Sequence, residues 1–442
     1  MGRNVGIGTL YQSLFTHHPP PITHHPFKNI LVVKLRYVGD VLLATPVLRV
    51  LRERFPGVSL TVAVNPGTDA VLMRNQDVNE VLVVERGPLA SQWRFLRELR
   101  ARRFDCVVDL SDGDRSAILA RLSGAPVRIG FNEERRWRGL LYTTIVRVGG
   151  GVAHRIEHDL EALRPLGIEP GTGWPVLRTS PQDDEQAERL LREAGANLAA
   201  GRRLVMFQPG ARYWFKAWPV ERFAELADRL ADSFGCTVLI GGDQREQAVA
   251  DSIRKQARSG PVVLAGRTTL LQLASVLKRC ALFVGNDNGP MHMAAALGVP
   301  VVALFGPSNP DEWGPRSRTV RVLHKGLDCR RCFHPTCFRG EESCMKLISV
   351  DEVFAAATKL LGQSSTFEVR DEAPESREAR RGAEPRMSNL TRNLLLCGEL
   401  TALCLELRRA VLRRTHAEQD VEKTLMAEIR LSKEQAWRRN PS

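Results

Sequence analysis

Residues 281–315 read ALFVGNDNGPMHMAAALGVPVVALFGPSNPDEWGP, and this stretch constrains the fold more than any other. A short apolar run at 281–284 predicts a buried strand, and a polar turn, Gly285-Asn286-Asp287-Asn288-Gly289-Pro290, follows it. A helix is expected over about 291–297, stopped by Gly298, and a second buried strand over 301–305. Strand, tight turn, short helix, strand is a βαβ unit of a parallel sheet. The turn is chemically loaded. Asp287 and Asn288 are good helix N-caps, Gly289 lets a ligand approach the backbone, and Pro290 suits the first helical turn. Free N–H groups at such a helix start, aided by its dipole, suit a phosphate. The same residues also serve a plain structural turn, so the rest of the chain has to decide.

Taken in order, residues 29–34 (NILVVK) predict a buried strand running into Leu35-Arg36-Tyr37-Val38-Gly39-Asp40. Apolar residues then recur at helical spacing over 41–51 and stop at Phe55-Pro56-Gly57. No G-x-G-x-x-G accompanies this strand–turn–helix, which counts against NAD or FAD. Further strands are expected at 59–64, 80–84 and 106–110, with helices between. Asp40 follows the end of a parallel strand and opens a helix, where open α/β sheets bind ligands; a plain helix-start acid interacting with the dipole reads the same way. Residues 128–138 (RIGFNEERRWR) form a basic loop on the same half, fit either for anions or for a solvated face. A second α/β rhythm begins with a strand at 204–208. It continues through Pro209-Gly210-Ala211-Arg212 and the loop to Pro219, then a helix at 220–234 and a strand at 237–240 before Gly241-Gly242-Asp243. A helix at 246–257, a strand at 262–264 and a helix at 270–277 lead to the opening stretch. Two doubly wound α/β halves result, and a cleft between such halves is a natural substrate site.

The expected organisation is a leader (1–27), a first Rossmann-like domain (28–175), a linker (176–202), a second Rossmann-like domain (203–361), a disordered linker (362–388) and a helical tail (389–442). Hydrophobic residues at 43% and charged ones at 26% are those of a soluble globular protein. No apolar run approaches the ~18 residues of a membrane span, and the leader lacks the apolar core of a signal peptide. Nine cysteines in so long a chain do not form a secreted disulfide framework, which points to the cytoplasm. Cys329, Cys332, Cys337 and Cys344 have the density of a zinc knuckle but tighter spacing than usual; a loop of reduced thiols is the other reading. A formal net charge of +13 implies an anionic partner. The basic amphipathic helix expected at 390–412 fits a membrane surface, a partner or the body of its own chain.

Four segments, KLRYVGDVLLATPVLRVLRERFP, FQPGARYWFKAWPVERFAEL, LIGGDQREQ and the opening stretch, together resemble the lipopolysaccharide heptosyltransferases of glycosyltransferase family 9. The resemblance covers about residues 28–361, and the GPMH and WGP forms are most like the third, core-branching group. It implies the GT-B architecture: two Rossmann-like domains across a cleft, acceptor on the first and ADP-heptose on the second. It also implies inverting, metal-independent transfer with no cofactor. By motif, Asp40 matches the family's general base and Lys216 the lysine at the donor diphosphate. Asp287, Gly289 and His292 match the donor-nucleotide turn, with Asn288, Pro290 and Met291 completing it; Asn288 stands where the family has Ser or Thr. Asp243 lies near the acid used against the ribose. Arg36, Arg135, Arg136 and Arg138 are the expected acceptor contacts. Implied partners are ADP-heptose, a phosphorylated Kdo-lipid A or core lipopolysaccharide acceptor, and the anionic cytoplasmic face of the inner membrane touched peripherally, with no nucleic acid. Two other readings stand beside this one: a family member using another nucleotide sugar, and a basic zinc-containing nucleic-acid-binding protein.

Overall fold

In β1 (Asn29–Lys34), Ile30 and Val32 enter one hydrophobic core while Leu31 and Val33 enter another. Only a strand covered by helices on both faces uses apolar residues this way. The computed structural model describes residues 27–363 except 86, 150–153, 200–201, 328 and 330–336. The expected leader as far as residue 26, the expected disordered linker from residue 364, the helical tail and Cys332 therefore lie outside the described residues. Among the described residues, no helix is long and apolar enough to cross a membrane.

The first half runs α1 (Val38–Leu43), α2 (Thr45–Arg54), β2 (Ser59–Val64), β3 (Glu80–Val83), α3 (Leu89–Ala101), β4 (Cys106–Asp109), α4 (Asp114–Leu122), β5 (Val127–Phe131), β6 (Thr144–Val146) and α5 (Arg155–Leu160). Its sheet is ordered β3-β2-β1-β4-β5-β6. After α6 (Pro181–Glu193), the second half runs β7 (Leu204–Gln208), α7 (Val220–Phe234), β8 (Thr237–Ile240), α8 (Gln247–Gln256), β9 (Val262–Val263) and α9 (Leu270–Lys278). It continues with β10 (Cys280–Asn286), α10 (Gly289–Ala296), β11 (Val301–Phe305), α11 (Pro310–Trp313), β12 (Val320–His324), α12 (Cys344–Leu347) and α13 (Val350–Gln363). Its sheet is ordered β12-β11-β10-β7-β8-β9, and every pairing in both sheets is parallel. Both sheets fall in one compact unit. One core cluster is continuous between them, running from Val41 and Leu48 of the first half to Phe283, Met291 and Ala294 of the second.

Several expectations needed correction. The single helix expected over 41–51 is two, because Pro46 has no N–H for the Leu42 carbonyl. The Thr45 hydroxyl donates to that carbonyl instead, at 2.7 Å, and the helix restarts at Thr45. The expected basic loop begins as strand β5, where Arg128 donates to the carbonyls of Leu141 and Ala125. Strands β5, β6 and β12 were not anticipated; β6 has three residues, and β12 is a largely exposed edge strand with weak apolar alternation. The short helix opens at Gly289, two residues before its expected start, with Asn288 as N-cap. The linker helix, expected over 183–194, is α6, started two residues earlier by a Ser180–Asp183 capping box. It is tied to α9 by Lys278–Asp184 and Arg279–Glu188, and to the first half by Arg74–Asp183.

Candidate active site

The turn after β10 is held by its own polar side chains. Buried Asn286 donates to the Pro209 carbonyl and accepts from the Trp218 N–H, which fixes the 209–218 loop against the turn. Asn288 accepts from the Met291 N–H at 3.0 Å and donates to the Gly210 carbonyl at 2.8 Å. The Asn288 oxygen is thereby committed to capping and one amide N–H to Gly210, which leaves its second N–H. Pro290 has no N–H and that of Met291 is capped, so Gly289 is the first-turn position left to face an anion. The Lys216 ammonium sits 2.6 Å from the Asp287 carboxylate, which holds it over this helix start. His292, one turn in, is buried, and burial pushes its imidazole down to about 4, so it is neutral near pH 7. Its Nδ1 is buried without a hydrogen-bond partner among the described residues, an unmet polar group at an otherwise satisfied site.

Asp40 lies in the first turn of α1 and forms no ion pair among the described residues. Helix α1 meets α10 start to start. A Cβ at Gly39 would lie 3.0 Å from His292 Cδ2 and 3.5 Å from Gly289 Cα; one at Gly289 would lie 3.3 Å from Val38 Cβ. Two glycines therefore bring the carboxylate-bearing turn of one half against the anion-binding turn of the other. Gly39→Val is expected to force these turns apart at about 1–3 kcal/mol of overpacking. Thermal unfolding would read this as a lower Tm. Gly39→Ala, with one methyl to accommodate, should lose less.

Beneath Asp40 lies a buried ion cluster. Lys34 Nζ is 2.5 Å from Asp159 Oδ2 and donates to the Leu110 carbonyl, while Arg155 Nη2 lies 2.8 Å from Asp159 Oδ1. Burial pushes the Lys34 ammonium down to about 8, with Arg155 pushing the same way. Burial alone would raise the Asp159 carboxyl, but Arg155 and Lys34 hold it well below the usual carboxylate range. Two cations against one buried carboxylate leave positive potential, and Asp40 is near enough to act on both cations. Contacts between the halves continue beside it. His154 Nε2 is 2.8 Å from the Gly314 carbonyl, Arg316 donates to both carboxylate oxygens of Glu157, and the Arg212 guanidinium stacks 3.6 Å from the Tyr37 ring centre.

The other expected site residues are distributed unevenly. Arg36 is close to the Asp40 turn, held by the Ser111 and Asp112 carbonyls. Arg135 is exposed at a positive φ of 51°. Arg136 pairs with Glu134 at 3.4 Å. Arg138 is buried, with Asp112 at 2.7 Å and Asp114 and Glu134 nearby, so its charge is neutralised within the fold. The Asp243 carboxylate accepts from the Arg245 and Glu246 N–H groups of its own capping box. Glu246, not singled out from the sequence, sets its carboxylate where a Cβ at Gly210 would stand and accepts from Gln208 Nε2 at 3.3 Å. The D-x-x-E capping-box spacing was the signal that could have found it. Lys34 and Asp159 were missed as well: Lys34 merely ends an apolar run, and Asp159 is one of several polar residues in RIEHDL. Cys329, Cys337 and Cys344 are free thiols, and among the described residues no group of three or more His, Cys, Asp and Glu is arranged to hold a metal ion.

With this geometry in view, comparison with known proteins is informative. The family model for glycosyltransferase family 9 (heptosyltransferase) matches residues 92–341. Lipopolysaccharide heptosyltransferase 3 of Escherichia coli is 30% identical over 346 residues, covering 75% of this chain and 99% of that protein. Among solved structures, the glycosyl transferase family 9 protein of Veillonella parvula DSM 2008 superposes with a TM-score of 0.67 at 28% identity, covering 76% of this chain and 97% of that one. The E. coli ADP-heptose lps heptosyltransferase II gives 0.64 at 26% identity, covering 76% and 100%.

Proposed function

This chain belongs to glycosyltransferase family 9, the heptosyltransferases, and from that membership we propose that it moves L-glycero-D-manno-heptose from ADP-heptose to the inner core of lipopolysaccharide. Its two facing parallel sheets are the GT-B architecture of that family. The observation that carries the proposal is the glycine-to-glycine meeting of the two turns, which sets Asp40 beside the start of α10. Transfer with inversion needs that juxtaposition. The acceptor oxygen attacks the anomeric carbon from one side, the bond to the diphosphate breaks on the other, and the hydroxyl proton passes to Asp40. A carboxylate in this role suits a transition state of oxocarbenium character with late proton loss.

The departing diphosphate meets Lys216, the Gly289 N–H and the dipole of α10, which supply positive charge without a metal ion in this scheme. Lys216 has three N–H donors, so it can keep Asp287 and still reach a phosphate oxygen. The neutral His292 adds a polar edge at the same turn. Glu246 is placed against Gly210, whose carbonyl accepts from Asn288 of the donor turn; we assign it, in preference to Asp243, to the ribose hydroxyls. Arg36 faces the acceptor side, with Arg135 and Arg136 farther along.

Calorimetry of ADP-heptose against ADP-glucose, UDP-glucose and GDP-mannose tests the donor: selective binding of ADP-heptose is expected, and preference for another sugar nucleotide would overturn it in favour of the second family reading. Lys216→Ala is expected to weaken ADP and ADP-heptose binding alike by about 1.5–3 kcal/mol, the size of a charge-assisted contact. Unchanged donor affinity in that variant would move Lys216 out of the diphosphate site.

A further inference from the structure

Strands β7 and β8 end side by side, at the edge where an open α/β sheet binds its ligand. Glycines follow both: Gly210 after Gln208 and Pro209, and Gly241 with Gly242 after Ile240. They make room for two side chains of the protein itself. A Cβ at Gly210 would overlap the Glu246 carboxylate, one at Gly241 would stand 2.5 Å from Gln208 Oε1, and one at Gly242 would stand 3.1 Å from Glu246 Oε2. The two oxygens of Glu246 are used unequally. Oε2 accepts from the Asp243 N–H at 2.9 Å and from Gln208 Nε2 at 3.3 Å, whereas Oε1 accepts no hydrogen bond among the described residues. Gln208 is equally lopsided. It is 3% exposed, and its Oε1 is buried with no partner among the described residues. A buried acceptor left unmet costs stability, and an apolar side chain of the same length would remove that cost. Turned over, the amide would set its oxygen against a carboxylate, so what this side chain supplies is the N–H toward Glu246.

We propose that Gln208 is a positioning residue: its amide holds Glu246 by Oε2 and thereby presents Oε1 to a ribose hydroxyl of the donor nucleotide. Oε1 lies against Gly210, whose carbonyl is held by Asn288, so the open oxygen stands on the loop that joins the donor turn. A carboxylate free to turn would lose that freedom on binding; one fixed beforehand does not. Gln208 itself touches no nucleotide in this scheme and acts through Glu246. The inference rests on the assignment of Glu246 to the ribose, and adds that discrimination between ribose and deoxyribose depends on a side chain buried behind that carboxylate.

The test is calorimetry of ADP, 2′-deoxy-ADP and 3′-deoxy-ADP with the full chain. The unaltered protein is expected to bind ADP at least about tenfold more tightly than one of the two deoxy analogues, the size of a hydrogen bond to a charged group. Glu246→Ala should abolish that preference. Gln208→Met keeps the length of the side chain and removes its N–H; it should weaken ADP at least about threefold and leave the affinity for that analogue unchanged. Gln208→Leu should behave alike, so the result does not hang on the folding of one variant. In the Glu246→Ala background, Gln208→Met should have no further effect on ADP. A merely structural role would weaken all three nucleotides together. That outcome, or full preference for ADP kept in both Gln208 variants while Glu246→Ala abolishes it, would overturn the proposal alone. Equal binding of the three nucleotides by the unaltered protein, or preference retained in Glu246→Ala, would overturn the ribose assignment and the proposal with it.

Discussion

Asp40→Asn is expected to fold normally and bind ADP-heptose as well as the unaltered protein, while kcat falls by about 10²–10⁴-fold. The substitution keeps the size of the side chain and its place in the first turn of α1, and removes only the proton-accepting charge. Asp40 forms no ion pair among the described residues, so no directly bonded cation is orphaned. Lys34 and Arg155 keep Asp159 as their partner. The loss should therefore appear in single-turnover rates at saturating donor, with the calorimetric donor affinity unchanged. Turnover close to that of the unaltered protein would remove Asp40 from the mechanism.

Asp159→Ala is expected to be the most damaging single change to stability, at about 3–5 kcal/mol. The side chain is fully buried and is the direct ion-pair partner of both Lys34 and Arg155. Without it, two cations remain beneath the active-site turn with Leu110's carbonyl and the more distant Asp40 to stabilise them. The pH dependence has a definite sign. Asp159 is depressed in the folded state, so its contribution is present above the unfolded value of about 3.9 and is lost as pH falls through and below it. Thermal melts should show the unaltered protein losing Tm steeply below about pH 4, and the variant, already lower at neutral pH, changing less over that acid range. An unchanged Tm at neutral pH would mean that the cluster is not holding the first half together.

The architecture was legible where burial is uniform. Strands β1, β2, β7, β8 and β11 were readable to the residue because central parallel strands are continuous apolar runs bounded by turn residues. Two edge strands, β6 and β12, were not: β12 is largely exposed, and β6 is too short to show a period. Helix α2 was misjudged because apolar spacing passes through Pro46 unbroken, whereas the hydrogen-bond ladder cannot. Within the candidate site, turn chemistry singled out Asp40 and Asp287 through Pro290, while His292 was reached only through the resemblance. Charge alone misplaced Arg138, because a count of arginines does not say which carboxylates fold against them. Glu246 and Asp159 act through contacts far apart in sequence, with Gly210 and Lys34 respectively, and no local pattern encodes those. The meeting of Gly39 with Gly289 is of the same kind; each glycine reads locally as a turn residue, and only the packing of α1 on α10 gives the pair its use.

The account stands on transfer between those two turns, and one measurement reaches it directly: the mass of lipopolysaccharide cores of defined truncation after incubation with the purified protein and ADP-heptose, followed together with release of ADP. The account predicts that one truncated core gains a single heptose, with one ADP released for each, and that Asp40→Asn slows both signals by the same factor of about 10²–10⁴. ADP-heptose left intact alongside every core, while another sugar nucleotide is consumed and its sugar transferred, would contradict it.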